Sequence, residues 1–179
     1  IIKLSEKVIG QIAAGEVVER PASVVKELLD NSIDANSTEI RIRVEKGGLD
    51  LIEVSDNGTG IKKDEIEEAF KSHTTSKMEN IDDLDKLSTM GFRGEALSTI
   101  VSVSEVEVIS RHKDNETAYK VEFDGIEAKS PKPAARDVGT TVTVKNLFGE
   151  IPARKKYLRS KETEYRKILE ELIPIFIIN

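Results

Sequence analysis

The apolar residues change period at Glu39, and no other feature of the chain constrains its fold as strongly. Before that point Val24, Val25, Leu28 and Leu29 recur at helical spacing; after it Ile40, Ile42 and Val44 alternate with Arg41, Arg43 and Glu45. Gly47-Gly48 supplies a hairpin turn into a second run, Leu51-Ile52-Glu53-Val54-Ser55-Asp56. The helical spacing predicts a first helix carrying Val8, Ile9, Ile12, Ala13, Val17 and Val18. A second, N-capped by Ser23, runs to about Ala35 after the Glu19-Arg20-Pro21 break. Ile66, Ala69 and Phe70 predict a short amphipathic helix, and His73 to Gly94 a long functional loop. Alternation returns at Val106 to Ile109, Ala118 to Phe123 and Thr140 to Val144, and basic helical stretches from Ala153 and from Glu162 close the chain. A helix with one apolar stripe and a sheet with one apolar face must cover each other. The expectation is therefore α+β: a two-layer α/β sandwich, helices on one face of a mixed, mostly antiparallel sheet.

Composition excludes several classes of function. The 179 residues carry 27 Lys and Arg against 33 Asp and Glu, a net charge of −6, which is incompatible with a strongly basic nucleic-acid module. There is no cysteine, hence no disulfide framework and no thiol nucleophile. His73 and His112 stand apart in sequence, which argues against a histidine metal centre. The longest apolar run, at the C-terminus, is interrupted by Pro174 and too short to span a bilayer, and Ile1-Ile2-Lys3-Leu4 has no signal-peptide character. A soluble intracellular chain is expected.

Four sequence elements carry candidate chemistry. Glu27, Asn31 and Asp34 follow at i, i+4 and i+7, stacking along one helical strip. A carboxylate one turn from a carboxamide suits a general base beside a cation ligand; the same spacing also suits an ordinary solvated face. Asp56 shares parity with Ile52 and Val54, so its carboxylate points to the buried side, where it needs donors such as a purine amino group. Asp56-Asn57-Gly58 is equally common turn chemistry, while Gly58 and Gly60 let backbone approach a flat ligand. Thr74-Thr75-Ser76-Lys77 is the third element. The fourth, Gly91-Phe92-Arg93-Gly94-Glu95-Ala96-Leu97, is a glycine-rich loop opening a helix, where backbone N–H groups favour phosphate. Neither a Walker A loop nor a dinucleotide fingerprint occurs in the chain.

Taken together with Gly139-Thr140-Thr141, these strings resemble the ordered motifs of the GHKL ATPases, the superfamily of gyrase, heat-shock chaperones, histidine kinases and MutL. Gln11-Ile12-Ala13-Ala14-Gly15-Glu16-Val17-Val18 and the Gly91–Leu97 heptapeptide are similar to the MutL mismatch-repair branch. The resemblance implies an N-terminal ATPase domain over residues 1–179, with ATP and Mg²⁺ as ligands. It implies Glu27 as general base, Asn31 as Mg²⁺ ligand, and Asp56 as acceptor from the adenine amino group, with Gly60 nearby and Thr140 acting through water. Asp34, Ala35 and Gly58 join the nucleotide-binding set. Thr75, Ser76 and Lys77 approach the nucleotide, and Gly91 and Phe92 lead into a mobile phosphate lid of Arg93, Gly94, Glu95, Ala96 and Leu97. Asp30 stands where many relatives carry glutamate, and Leu147 to Arg154 lacks the family's usual aromatic-Asn-Thr before the proline.

The family continues into a second domain, whose lysine reaches the γ-phosphate, and a C-terminal dimerisation domain. The resemblance therefore predicts that residues 1–179 alone are monomeric and hydrolyse ATP weakly. For full-length proteins it implies a mismatch-recognition protein, DNA and a second MutL-type subunit as partners, and no membrane. Location would be cytoplasmic in bacteria or archaea and nuclear in eukaryotes. The competing reading is a non-catalytic, nucleotide-gated DNA- or protein-binding module. It draws on the basic residues Arg154, Lys155, Lys156, Arg159, Lys161, Arg166 and Lys167.

Overall fold

The computed structural model describes residues 18–71 and 96–178, with side chains as far as Ile175. Helix α1 spans Pro21–Asp34 and buries Ala22, Val24, Val25, Leu28, Leu29 and Ser32. It starts three residues earlier than a Ser23 cap predicts. Arg20, in extended conformation, precedes it, and no side chain caps it. Pro21 sets this start, because a ring-fixed φ and a missing N–H suit the first helical position. Ser23 instead donates its backbone N–H to the Arg20 carbonyl at 3.0 Å. The helix stops at Ala35, and Asn36 takes a φ of 58°.

Strands β1 (Ile40–Glu45) and β2 (Leu51–Asp56) form the expected antiparallel hairpin. A 3₁₀ turn, Lys46–Gly48, joins them. Helices α2 (Lys63–Ala69) and α3 (Ala96–Val103) follow, then strands β3 (Glu105–Arg111), β4 (Ala118–Asp124), β5 (Glu127–Ala128), β6 (Lys132–Ala134) and β7 (Gly139–Lys145). Helices α4 (Pro152–Tyr157) and α5 (Lys161–Ile178) end the described chain. Of the expected helix carrying Val8 to Val18, only Val18 is among the described residues; it is buried and lies outside any helix. β5 and β6, two and three residues long, are too short to leave a period in the sequence.

The strand order is β1-β2-β7-β3-β4-β5, with β6 also pairing β4, and every pairing among the described residues is antiparallel. One sheet face is apolar: Ile52, Val54, Val106, Val108, Val121, Val142 and Val144 pack with Val24, Val25, Leu28, Ile100 and Ile168 from the helices. The other face carries Arg43, Glu53, Glu107, Lys120 and Glu122. Among the described residues no helix is long and apolar enough to cross a membrane.

Insertion of β7 between β2 and β3 determines where chemistry gathers. It brings the first residues of β7 against the last residues of β2 and β3. Gly139, Thr140, Asp56 and Ser110 therefore meet at one end of the sheet, beside the C-terminal half of α1.

Candidate active site

Asp56 is buried, at 8% exposure, with Ile52 and Val54 on the same face, while Glu53 and Ser55 are half-exposed. A charge in that position needs donors. Three are present: Oδ1 accepts the Gly58 N–H at 2.9 Å and the Thr140 N–H at 3.2 Å, and Oδ2 accepts the Ser32 hydroxyl at 3.0 Å. That hydroxyl shares its one proton with the Leu28 carbonyl, also at 3.0 Å. An ionised carboxylate offers about four acceptor positions. Among the described residues no donor takes the fourth, on Oδ2, and only a donor can fill it.

The following turn is held from three sides. Asn57 Oδ1 accepts the Thr38 and Glu39 N–H groups, each at 2.9 Å, and Thr59 donates its N–H to the Ala35 carbonyl at 3.0 Å. The glycines do admit a close approach, but to the protein's own chain. A Cβ at Gly58 would lie 2.7 Å from the Ala35 carbonyl oxygen, and at Gly60, with φ of +71°, only 2.0 Å from that of Arg111. Gly60→Ala is therefore expected to destabilise the protein by at least about 1–3 kcal/mol from left-handed strain alone. Thermal unfolding followed by circular dichroism measures this; an unchanged melting temperature would mean the turn relaxes at no cost.

Thr140 is likewise buried, and its hydroxyl lies 2.9 Å from that of Ser110. Ser110 accepts the Ile61 N–H at 2.8 Å and donates to the Gly139 carbonyl at 3.1 Å. With its own proton so placed, Ser110 receives that of Thr140, which leaves lone pairs on the Thr140 oxygen for a water or ligand donor.

On α1, Asn31 Nδ2 donates to Glu27 Oε1 at 3.3 Å, and both side chains are half-buried. The bond turns the amide nitrogen toward Glu27, and Oδ1 of Asn31 accepts no hydrogen bond among the described residues. The next residue, Ser32, turns into the sheet and reaches Asp56, so one helix registers the Glu27–Asn31 pair against that carboxylate. Asp34 is exposed in the last turn of α1, and Ala35 is half-buried against the Gly58 turn. Ala96 and Leu97 open α3, Ala96 buried and Leu97 packed on the core, so this end of the expected lid is anchored in the helix layer. Thr75, Ser76, Lys77, Gly91, Phe92, Arg93, Gly94 and Glu95 lie outside the described residues.

Sequence reasoning misses three residues that complete this arrangement. Ser32 carries a weak signal, as the one polar residue on the buried stripe of α1. Ser110 has the same character on β3. Arg136 has no periodic signal at all, yet its guanidinium donates to the Asp56 carbonyl at 2.7 Å. Burial pushes the Arg136 pKa below its ordinary value, against the opposing pull of Asp56 and Asp137. Among the described residues no three His, Cys, Asp or Glu side chains converge to hold a metal. A cation here would draw its remaining ligands from phosphate oxygens and water, as Mg²⁺ commonly does, and the Asn31 oxygen fits that donor set.

Residues 19–147 match the family described as histidine kinase-, DNA gyrase B-, and HSP90-like ATPases. The DNA mismatch repair protein MutL of Halothermothrix orenii is 52% identical over 168 residues, covering 94% of this chain and 26% of that protein. MutL of Lactobacillus helveticus is 52% identical over 170 residues, 95% of this chain and 27% of its own length. The chain thus spans about a quarter of the length of these curated relatives. Among solved structures, the Aquifex aeolicus MutL ATPase domain complexed with ADP superposes with a TM-score of 0.65 at 33% identity, covering 87% of this chain and 54% of that one. The N-terminal domain of a DNA repair protein superposes with a TM-score of 0.76 at 37% identity, covering 97% and 50%.

Proposed function

Since this chain belongs to the histidine kinase-, DNA gyrase B- and HSP90-like ATPase family, in its MutL branch, we propose that the site at the Asp56 end of the sheet binds ATP with Mg²⁺ and hydrolyses it slowly. The observation that carries this reading is the buried Asp56 carboxylate, with three acceptor positions filled and one left for a donor among the described residues, registered through Ser32 to Glu27 and Asn31. The adenine amino group is that donor. Thr140 supports the base through water, and the turn of Gly58 and Gly60, with Asp34 and Ala35 at the end of α1, borders the nucleotide.

Glu27 takes a proton from the water that attacks the γ-phosphorus as the β–γ bridging bond breaks. Proton transfer to a positioned carboxylate lowers the barrier only if the carboxylate stays ionised and oriented. Asn31 contributes its amide oxygen to Mg²⁺. When bound, the cation neutralises charge on the phosphate oxygens. In this reading Thr75, Ser76 and Lys77 would approach the nucleotide, and Arg93 to Leu97, entered through Gly91 and Phe92, would form the phosphate lid.

Slow turnover suits a conformational switch, in which nucleotide binding rather than flux carries the signal. In that role the chain acts inside the cell in DNA mismatch repair, together with a mismatch-recognition protein, DNA and a second MutL-type subunit.

Calorimetry with a non-hydrolysable ATP analogue, with and without Mg²⁺, tests the reading, and phosphate release tests the reaction. Asn31→Ala is expected to weaken analogue binding in Mg²⁺ and to leave metal-free binding nearly unchanged. Equal affinity of variant and wild type in Mg²⁺ would remove Asn31 from the metal site.

One observation favours a second reading, a nucleotide-gated binding module. Lys155, Lys156 and Arg159 are exposed and make no ion pair among the described residues, and Tyr157 between them is 90% exposed. DNA binding that falls steeply with salt, in a chain that releases no phosphate, would favour it.

A further inference from the structure

We infer that Arg136 is a positioning residue for base selectivity, acting by fixing the main chain that carries Asp56. The inference rests on the reading of Asp56 as the purine acceptor. Arg136 lies between β6 and β7, three residues ahead of Gly139. A guanidinium has five N–H donors in a fixed fork, and four are used here. Nη2 donates to the Asp56 carbonyl at 2.7 Å, Nη1 to the Ile109 carbonyl at 3.0 Å and to the Thr141 hydroxyl at 3.1 Å, and Nε to the Asp137 carbonyl at 3.0 Å. One side chain thereby ties together the ends of β2, β3 and β7.

The need for it follows from the register. The β2–β7 pairing ends at Ser55↔Thr141, one residue short of Asp56. Gly139, with φ of +128°, brings β7 so close that a Cβ there would lie 2.1 Å from the Asp56 carbonyl oxygen. That carbonyl has lost its ladder partner on β7, and the Arg136 fork replaces it. Both groups that meet the purine edge depend on this clamp: Asp56 through its own peptide, and Thr140 through its neighbour Thr141. Telling an amino group from a carbonyl requires the acceptor to be placed within a few tenths of an ångström. Lysine would keep a positive charge here but present it as a point, without the fork that spans three strands.

The test compares ATP with inosine triphosphate, which carries a carbonyl where adenine has its amino group, by calorimetry on wild type, Arg136→Met and Arg136→Lys. Thermal unfolding controls for folding. The expected result is a loss of ATP affinity of about tenfold in both variants with inosine triphosphate almost unaffected, so that the preference collapses. Should Arg136→Met fail to fold, Arg136→Lys gives the same comparison. A folded variant that keeps the wild-type preference would overturn the inference, and so would an equal loss for both nucleotides, which marks a merely structural role. If wild type itself shows no preference, the failure lies in the assignment of Asp56 and is recognised without any variant.

Discussion

Replacing Glu27 with alanine is expected to leave nucleotide affinity near wild type and to reduce turnover by about 10²–10⁴-fold, the usual contribution of a positioned base. The carboxylate is one helical turn from Asn31 and bonded to its amide nitrogen, so it is held beside the metal ligand. Its proposed work is to accept a proton in the transition state, which leaves the ground-state complex largely untouched. Losing the 3.3 Å bond also frees the Asn31 amide to turn, so a modest change in Mg²⁺ dependence should accompany the loss of rate. Phosphate release under single-turnover conditions, paired with calorimetry on the same preparation, separates the two effects. Hydrolysis at the wild-type rate would exclude Glu27 as the base.

For Asp56 the largest expected effect is a change of base preference. Wild type should bind GTP at least about tenfold more weakly than ATP, because guanine sets a carbonyl oxygen against the carboxylate and leaves a buried acceptor unpaired. Asp56→Asn should reverse the order. Its amide oxygen can keep the N–H groups of Gly58 and Thr140, which now bond Oδ1. Its amide nitrogen then takes the place of Oδ2, donating one hydrogen to Ser32 and offering the other to the base. A donor in that position bonds to guanine's carbonyl oxygen and repels adenine's amino group. Asp56→Ala serves poorly as a probe, because it strands three donors in the interior. Competition binding with ATP and GTP on the asparagine variant decides the matter: an unchanged preference would show that Asp56 does not read the base.

The parts of this site that lie within one element are legible in the sequence. A strand alternates its side chains with a period of two, so Asp56 had to share the buried face of Ile52 and Val54, as it does. Residues four apart on a helix are neighbours, so Glu27 and Asn31 had to touch. The hairpin at Gly47-Gly48 and the antiparallel sheet with helices on one side follow from similarly local patterns. The start of α1 is less legible: Ser23 offers a cap in the sequence, but Pro21, whose fixed φ suits the first helical position, governs. The two glycines after Asp56 announced a close approach, without saying that Ala35 and Arg111 would be the neighbours.

What reaches across the chain was decided only in three dimensions. The partners of Asp56 are 24 residues away at Ser32, 84 at Thr140 and 80 at Arg136. Nothing local in β7 says that it will lie between β2 and β3, yet that one placement brings all of these groups together. Covalent geometry determines which way a side chain points within its own helix or strand, and the sequence by itself therefore determined the longer elements, their buried faces and the residues, of the type of Glu27, Asn31 and Asp56, that could do chemistry. Strand order and register are chosen cooperatively, by burying every apolar face at once while pairing the backbone, and so the donors around Asp56 and the clamp at Arg136 belonged to the tertiary structure alone.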